Sequence, residues 1–447
     1  MTESMNVVLF NAWHDDNKGD SAITDGTLHI LQHAFENHGI DAVFTIVGLN
    51  ETGPLSQTAT RHVRTSWPDV DTLPSRLPTE LRAKEVARPL LDVPIWLARL
   101  GPAVVASLSG RTPRGLRSLI DAADVVVMVG GSNLHDSASV HPMVSAARLY
   151  TLVAPIPAAV KAGRPVLMLG HTLGPFPVAR RLSQRMARRM IGVADLVVVR
   201  EAESIPVAEQ LGIDRIELAP DMAFALRPDP TRRVRAVAAS LPVPAAQTAV
   251  VAVRRHPSLG AVADGRVIGE LTGAVGRLAA EGRCAGVLVV AHTVGPTEIE
   301  DDRGPSQALA ERIRRQYPDL PVTYLQEDLS PSELAWLYGQ SACMIAVRLH
   351  AAILAMLSGT PTYAIAYFTH KTTGVMATVG LADCVGDFAT VRAADVVAAL
   401  SPRIGSETER RTLAAVCESN RVLLEERCTE WLSEFVVGSG VGDRSSA

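Results

Sequence analysis

The chain has 447 residues, with 43 Lys and Arg against 47 Asp and Glu, for a formal net charge of −4. One core does not suffice at that length, and two or three domains are expected. Hydrophobic residues make up 47% and charged residues 20%, which excludes a disordered chain. The slightly acidic balance excludes a nucleic acid as main partner, so any bound anion must be held by local basic groups.

The N-terminus, MTESMNVVLF, lacks a basic n-region and runs straight into a strand, so no secretory signal is expected. Five scattered cysteines (Cys284, Cys343, Cys384, Cys417, Cys428) show no metal or redox spacing and read as free thiols in a reducing compartment. The most apolar stretch, 90–108, is interrupted by Asp92, Pro94, Arg99 and Pro102. It reads as a packed helix pair, with an interfacial membrane contact as the alternative. The expected location is cytoplasmic, with room for peripheral contact at the inner membrane face.

In chain order, strands are expected at Val7–Phe10, Ala42–Val47, Val125–Val129, Val166–Leu169, Leu196–Val199 and Ile216–Leu218, with helices such as Ser21–Asn37 and Val178–Ile191 between them. Prolines 220, 228, 230, 242 and 244 then break the rhythm around an Arg-rich helix. Strands resume at Thr248–Val253, Gly286–Val290, Val322–Leu325, Met344–Val347 and Thr362–Ala366, and a last helical stretch covers Glu407–Phe435. The expectation is an α/β chain of two doubly wound, Rossmann-like domains facing a cleft. Residues 1–228 form the first, 229–247 a linker and 248–405 the second; 406–436 is a helix able to cross back, and 437–447 a disordered tail. The segments VLMLGHTLGP (166–175) and VLVVAHTVGP (287–296) echo each other, which chance convergence of strand exits explains as well as duplication.

Four constellations carry chemistry. Asn17-Lys18-Gly19-Asp20 opens the first helix, where backbone N–H groups and the helix dipole favour an anion; Asp20 is equally an N-cap. Gly130-Gly131-Ser132-Asn133-Leu134-His135-Asp136 ends a fully apolar strand in two glycines, either for close approach of a ligand or for a tight turn. His171 and Arg200 leave neighbouring strands, one a proton carrier near neutral pH, the other a fork for carboxylate or phosphate. Arg348 and His350 stand in the first turn of a helix, where cations are disfavoured unless an anion compensates. With Arg254 and Lys371 they make an expected anion pocket, unless these groups are solvated or paired to nearby acids.

Taken in order, N-x-G-D, G-G-x-x-L-x-D, the Gly170–Pro175 turn, Arg200-Glu201-x-x-Ser204, Pro220–Phe224, Arg348–Ala355 and then Lys371 resemble the polysaccharide pyruvyl transferase family, over roughly residues 6 to 380. The resemblance implies a fold like the GT-B glycosyltransferases, phosphoenolpyruvate as co-substrate, and a saccharide or lipid-linked saccharide acceptor. It places donor binding on Arg200, Arg254, Arg348, His350 and Lys371. Acceptor binding falls to Asn17, Gly19, Asp20, Gly130, Gly131 and Asp136 in the first domain. Arg348, Lys371 and Arg200 would clamp anions, with His350 as acid and His171 as base. No metal spacing is present, so no cofactor is expected to be required, although the phosphate could recruit Mg²⁺. Two departures, Ser132 for the usual third glycine and His171 for the usual Gln, bear on acceptor identity. The rival readings are a GT-B nucleotide-sugar glycosyltransferase, disfavoured by the lack of a ribose-binding carboxylate in Gly359–Tyr367, and a non-catalytic saccharide-binding protein.

Overall fold

The computed structural model describes residues 4–50, 59–79, 89–136, 141–177, 181–295, 300–367 and 371–437. Two compact units are present: Met1–Asp15, Ile23–Met222 and Leu423–Ala447 form the first, and Asp16–Ala22 and Ala223–Val422 the second.

The first unit is built on β1 (Ser4–Ala12), β2 (Asp41–Gly48), β3 (Asp71–Leu73), β4 (Val125–Leu134), β5 (Val166–Leu173), β6 (Leu196–Val199) and β7 (Ile216–Leu218). They make one seven-stranded sheet in the order β3-β2-β1-β4-β5-β6-β7. Every pairing is parallel. Such a sheet needs apolar strands because helices cover both faces. Val125, Val126, Val127 and Met128 are each 0% exposed, which is why β4 reads as an unbroken apolar run. The second unit uses β8 (Thr248–Ala252), β9 (Gly286–Val290), β10 (Val322–Tyr324), β11 (Cys343–Ala346), β12 (Thr362–Ala366) and β13 (Val385–Asp387). Their order is β10-β9-β8-β11-β12-β13, again all parallel. In doubly wound sheets ligands bind beyond the strands' carboxyl ends, where the order reverses. Those points are β1/β4 in the first unit and β8/β11 in the second.

The expected strands are all present, and two short edge strands, β3 and β13, join them. The stretch 229–247 expected as a linker is packed structure of the second unit. Its helix Arg232–Ala239 is capped by the Thr231 side chain, which accepts from the Val234 N–H at 3.2 Å, and it buries Val234 and Val237. Residues 16–22, expected in the first domain, belong to the second unit, although the helix they open, Lys18–Asn37, continues in the first. The last helix, Glu407–Leu432, begins in the second unit and its residues from Leu423 belong to the first. There Trp431, 1% exposed, donates Nε1–H to Glu217 at 3.0 Å, and Arg427 pairs with the same carboxylate. The expected tail lies outside the described residues from 438 onward, as do 178–180 of the helix expected from Val178; that helix is described as Arg181–Ile191. All five cysteines are buried and free. Among the described residues no single helix is long and apolar enough to cross a membrane.

The glycine pair inside β4 is explained by the sheet itself. A Cβ on Gly130 would stand 2.2 Å from the Gly170 carbonyl oxygen of β5 and 2.4 Å from that of Leu169, while Gly131 has φ 144°. The β4–β5 register shifts between Gly131 and Leu134, so the backbones converge where no side chain fits. Gly130→Ala is therefore expected to lower the unfolding free energy by at least about 2 kcal/mol, read by urea denaturation. A change within about 0.5 kcal/mol would show that the convergence is not needed.

Candidate active site

In the first unit the strand-exit residues lock onto one another. Arg200 follows β6 and is 2% exposed. Its Nη1 donates to Asp221 at 2.7 Å, Nη2 to the Ser132 hydroxyl at 2.6 Å and Nε to the Thr172 hydroxyl at 3.0 Å. Thr172 donates to Glu201 at 3.0 Å, and Glu201 also accepts from the Ser204 hydroxyl. A buried guanidinium with three nitrogens engaged this way holds its own fold together, and Arg200, expected to bind the donor, is committed to Asp221 and its neighbours. His171, on β5 beside it, is 3% exposed. Its Nε2 donates to the Met128 carbonyl at 3.1 Å, so the lone pair sits on Nδ1. Burial, only partly offset by that carbonyl, and the charge of Arg200 hold its pKa down at about 4. The ring is neutral at physiological pH, as a base must be. Asp136 is buried, accepts the Ser145 hydroxyl at 2.6 Å, and its N–H bonds to the Pro175 carbonyl at 3.0 Å.

In the second unit a different set converges. Arg254 follows β8, His292 and Thr293 follow β9, Arg348 and His350 follow β11, and Tyr367 follows β12. The segment 16–22 is fastened to the β9 exit. Lys18 N–H donates to the His292 carbonyl at 3.2 Å, Val294 N–H to the Asp16 carbonyl at 2.9 Å, and Asn17 bridges Thr293. Within the segment, Asn17 donates to Asp20 at 2.6 Å and accepts from the Gly19 N–H at 3.1 Å. Lys18 is 2% exposed, and its ammonium meets Asp328 at 2.5 Å. Gly19 has a steric reason to be glycine: a Cβ there would lie 2.4 Å from Nδ1 and 2.8 Å from Cβ of His350. The N-x-G-D and R-L-H motifs, some 330 positions apart in the chain, thus meet in one place. Asn17, Gly19 and Asp20, expected on the acceptor side of the first domain, stand instead with Arg348 and His350. The reason is that contacts, not the strand preceding a loop, decide where a strand-exit segment packs.

The cations of this cluster are not equivalent. Arg348 forks onto Asp302, with Nε 2.9 Å and Nη2 2.8 Å from the two carboxylate oxygens, and Nη2 also reaches the Glu300 carbonyl at 2.8 Å. Burial opposes the charge on Arg348, yet the fields of Asp302 and its neighbours outweigh it and its pKa is raised; burial also pushes the Asp302 carboxyl up against the pull of Arg348. Arg254 has no carboxylate partner among the described residues. Its Nε donates to the Arg255 carbonyl at 2.9 Å, and its guanidinium carbon sits 4.1 Å from the centre of the Tyr367 ring. Lys371 lies 5.5 Å from the same ring centre. Burial alone pushes the Tyr367 phenol up; Lys371, Arg254 and Arg348 together, with a hydrogen bond from Arg254, reverse this and hold it at about 7.

His292 is 1% exposed, and its Nε2 is buried without a hydrogen-bond partner among the described residues. Burial first, then Arg348, His350 and Lys18, hold its pKa well below normal, so it is neutral. Sequence reasoning missed His292, Asp302 and Tyr367 as site residues. The signal for His292 was the repeated His-Thr-x-Gly-Pro. The two segments do not occupy equivalent positions, since β5 and β9 lie on opposite sides of the switch points of their sheets. Among the described residues no group of three or more His, Cys, Asp or Glu is placed to hold a metal ion.

These two Rossmann-like sheets have the architecture of GT-B glycosyltransferases and epimerases. Trehalose-6-phosphate synthase OtsA superposes with a TM-score of 0.56 at 14% identity, covering 97% of this chain and 99% of that one. TcCGT1 in complex with UDP gives 0.56 at 12% identity, covering 96% and 100%. UDP-GlcNAc 2-epimerase from Neisseria meningitidis gives 0.54 at 12% identity, covering 96% and 100%. Likeness at this identity concerns the fold alone.

The chain belongs to the polysaccharide pyruvyl transferase family, whose profile matches residues 17–369. It is also 26% identical over 318 residues to the amylovoran biosynthesis protein AmsJ of Erwinia amylovora, covering 67% of this chain and 70% of AmsJ.

The Tyr367 environment makes a spectroscopic prediction. A free phenol ionises near pH 10. In this protein one of the six tyrosines is expected to become phenolate with a midpoint of about 7, neutral below it and charged above. Ultraviolet difference titration reads this directly, and Tyr367→Phe removes that step. Absence of any phenol titrating below about 9 would contradict the cation cluster.

Proposed function

We propose that this protein transfers the pyruvyl group of phosphoenolpyruvate onto two hydroxyls of a saccharide as a ketal, in the biosynthesis of a cell-surface glycan, with the donor bound at the strand ends of the second unit. The observation that carries this reading is the convergence of Arg254, Lys371, Arg348 and two histidines beyond β8, β9, β11 and β12. Phosphoenolpyruvate presents a carboxylate and a phosphate, and charge-assisted bonds to a guanidinium or ammonium suit both.

The chemistry assigns work to these groups. A proton goes to the methylene carbon of the donor, and C2 becomes an oxocarbenium centre. A saccharide hydroxyl attacks C2 and gives up its proton. Phosphate leaves, a second hydroxyl attacks the same carbon, and the ketal closes with release of its proton. His350 supplies the first proton in this reading. His171, neutral with its lone pair on Nδ1, is the base for an acceptor hydroxyl. Arg254 and Lys371 bind the donor's anions, since both charges stand over the face of the Tyr367 ring at the strand ends. Arg348 orients the site through Asp302. No cofactor is required by these steps, and the phosphate remains able to recruit Mg²⁺. The proposed location is the cytoplasm, where phosphoenolpyruvate is available, and a lipid-linked acceptor would bring the protein to the inner membrane face.

Substitution at Arg348 is a poor probe of this reading. Removing it strands a buried Asp302, which costs about 3–5 kcal/mol of stability by itself. Arg254→Ala is the better variant. It is expected to weaken phosphoenolpyruvate binding roughly 10- to 100-fold by calorimetry with little change in unfolding. The wild-type protein with phosphoenolpyruvate and methyl glycosides is expected to release phosphate and yield a product heavier than the glycoside by the elements of pyruvic acid less those of water. Donor binding unaffected by Arg254→Ala, or turnover of a nucleotide sugar with none of phosphoenolpyruvate, would overturn the assignment.

A further inference from the structure

The stretch 90–108, expected as a packed helix pair, is one helix, Pro89–Leu108, and only one side of it is packed. Trp96 and Leu100 are 3% and 1% exposed. Trp96 donates Nε1–H to the Pro78 carbonyl at 2.9 Å, and the Ser107 and Tyr150 hydroxyls share a hydrogen bond of 2.8 Å. These contacts fasten the helix to the first unit. Its other side carries Ile95, Ala98, Pro102, Val105 and Leu108, all exposed, at spacings of three and four residues that set them along one face. Ile95 is 58%, Val105 62% and Leu108 82% exposed. Single exposed apolar residues are ordinary, but a row of them along one helix is not. A helix apolar on every side is normally covered on every side.

Charge singles out what covers this row. Between positions 93 and 120 there are four arginines and no Asp, Glu or Lys, in a chain whose net charge is −4. Three of them gather past the end of the row. Arg111 lies three residues beyond Leu108, and Arg114 and Arg117 stand one turn apart on the next helix, Arg114–Ala122, whose Leu116, Leu119 and Ile120 are buried. All three are exposed, and none has a carboxylate partner among the described residues. A second copy of this face would bring no carboxylate from the same stretch to meet them. An anionic bilayer supplies both needs, phosphate groups for the guanidinium ions and acyl chains for the apolar row. The apolar part, Val93–Leu108, is shorter than the roughly 20 residues a crossing takes, which suits lying along a surface.

We propose that the exposed side of Pro89–Leu108, with Arg111, Arg114 and Arg117, is a docking surface for an anionic lipid bilayer. The apolar row enters the boundary between headgroups and acyl chains, and the arginines meet lipid phosphates. This gives the proposed position at a membrane face its surface, and it stands apart from the donor chemistry of the second unit.

The test is flotation of the full chain with vesicles of phosphatidylcholine alone and of phosphatidylcholine mixed with phosphatidylglycerol. The wild type is expected to float with the anionic vesicles, to float far less with the neutral ones, and to bind more weakly as salt is raised. Val105→Glu and Leu108→Glu, at exposed positions, are each expected to weaken binding roughly tenfold. Replacing Arg111, Arg114 and Arg117 together by Gln is expected to weaken it roughly 100-fold. Unchanged midpoints of urea unfolding show that the variants fold. No flotation with anionic vesicles, or equal flotation of the wild type and the variants, would overturn the proposal. So would a dimer in sedimentation that Val105→Glu dissociates, in a protein that leaves vesicles unbound, because the row would then be an interface between copies. Phosphoenolpyruvate calorimetry on the same samples separates the two assignments: absent vesicle binding with intact donor binding removes this inference alone.

Discussion

The site in the second unit depends on one missing side chain. Gly19 begins a helix whose first turn packs on the β9 exit, and the space its side chain would fill is taken by the ring and Cβ of His350. This packing brings Asn17 and Lys18 among residues that lie hundreds of positions away in the chain. It also orders the rest: with Lys18 N–H on the His292 carbonyl, His292 is closed off from water, and its imidazole stays neutral beside Arg348 and Lys18. Burial and the neighbouring cations both disfavour a second proton on the ring, so His292 keeps its lone pair.

Charge is distributed in two layers around that contact. Arg348 with Asp302 is a buried pair, and the buried Lys18 ammonium meets the exposed Asp328 carboxylate; both set geometry. Such pairs contribute little net stability, but losing one partner is costly, so they fix positions. Arg254 and Lys371 are arrayed about the Tyr367 ring, whose phenol is drawn toward ionisation to balance them. The second layer is the one whose balance an incoming anion changes. The first unit solves a different problem: Arg200, buried at the β5–β6 edge, is used internally.

The parallel sheets were legible because burial on both faces demands continuous apolar runs, and Leu196–Val199 or Gly286–Val290 leave little else to fit. The edge strands β3 and β13 were not. Each is three residues long and largely half-exposed, with Asp71, Thr72 and Asp387 interrupting the pattern. Arg348 and His350 stood out in the sequence because cations in a helix's first turn break a local electrostatic rule, and Arg254 and Lys371 because they follow strand ends of the same sheet. Arg200 bears the same signature for a different reason, since its partner Asp221 lies 21 positions on and local pattern cannot reveal the pairing. The placement of Asn17, Gly19 and Asp20 in the first domain differs for a related cause: a segment between a strand and a helix was read with the strand before it, while its hydrogen bonds go to residues 292–294. His292 was in view as half of an echo, yet nothing local says that its imidazole is sealed beside three other basic groups.

The contact between Gly19 and His350 is the claim on which this account of the second unit stands, and a double-mutant cycle measures it. Gly19→Ala is expected to cost at least about 2 kcal/mol of unfolding free energy in the wild-type background. In the His350→Gly background, where the ring and Cβ are gone, the same change should cost less than half as much. An equal cost in both backgrounds would mean that Gly19 does not make room for His350, and that the two motifs do not share one site.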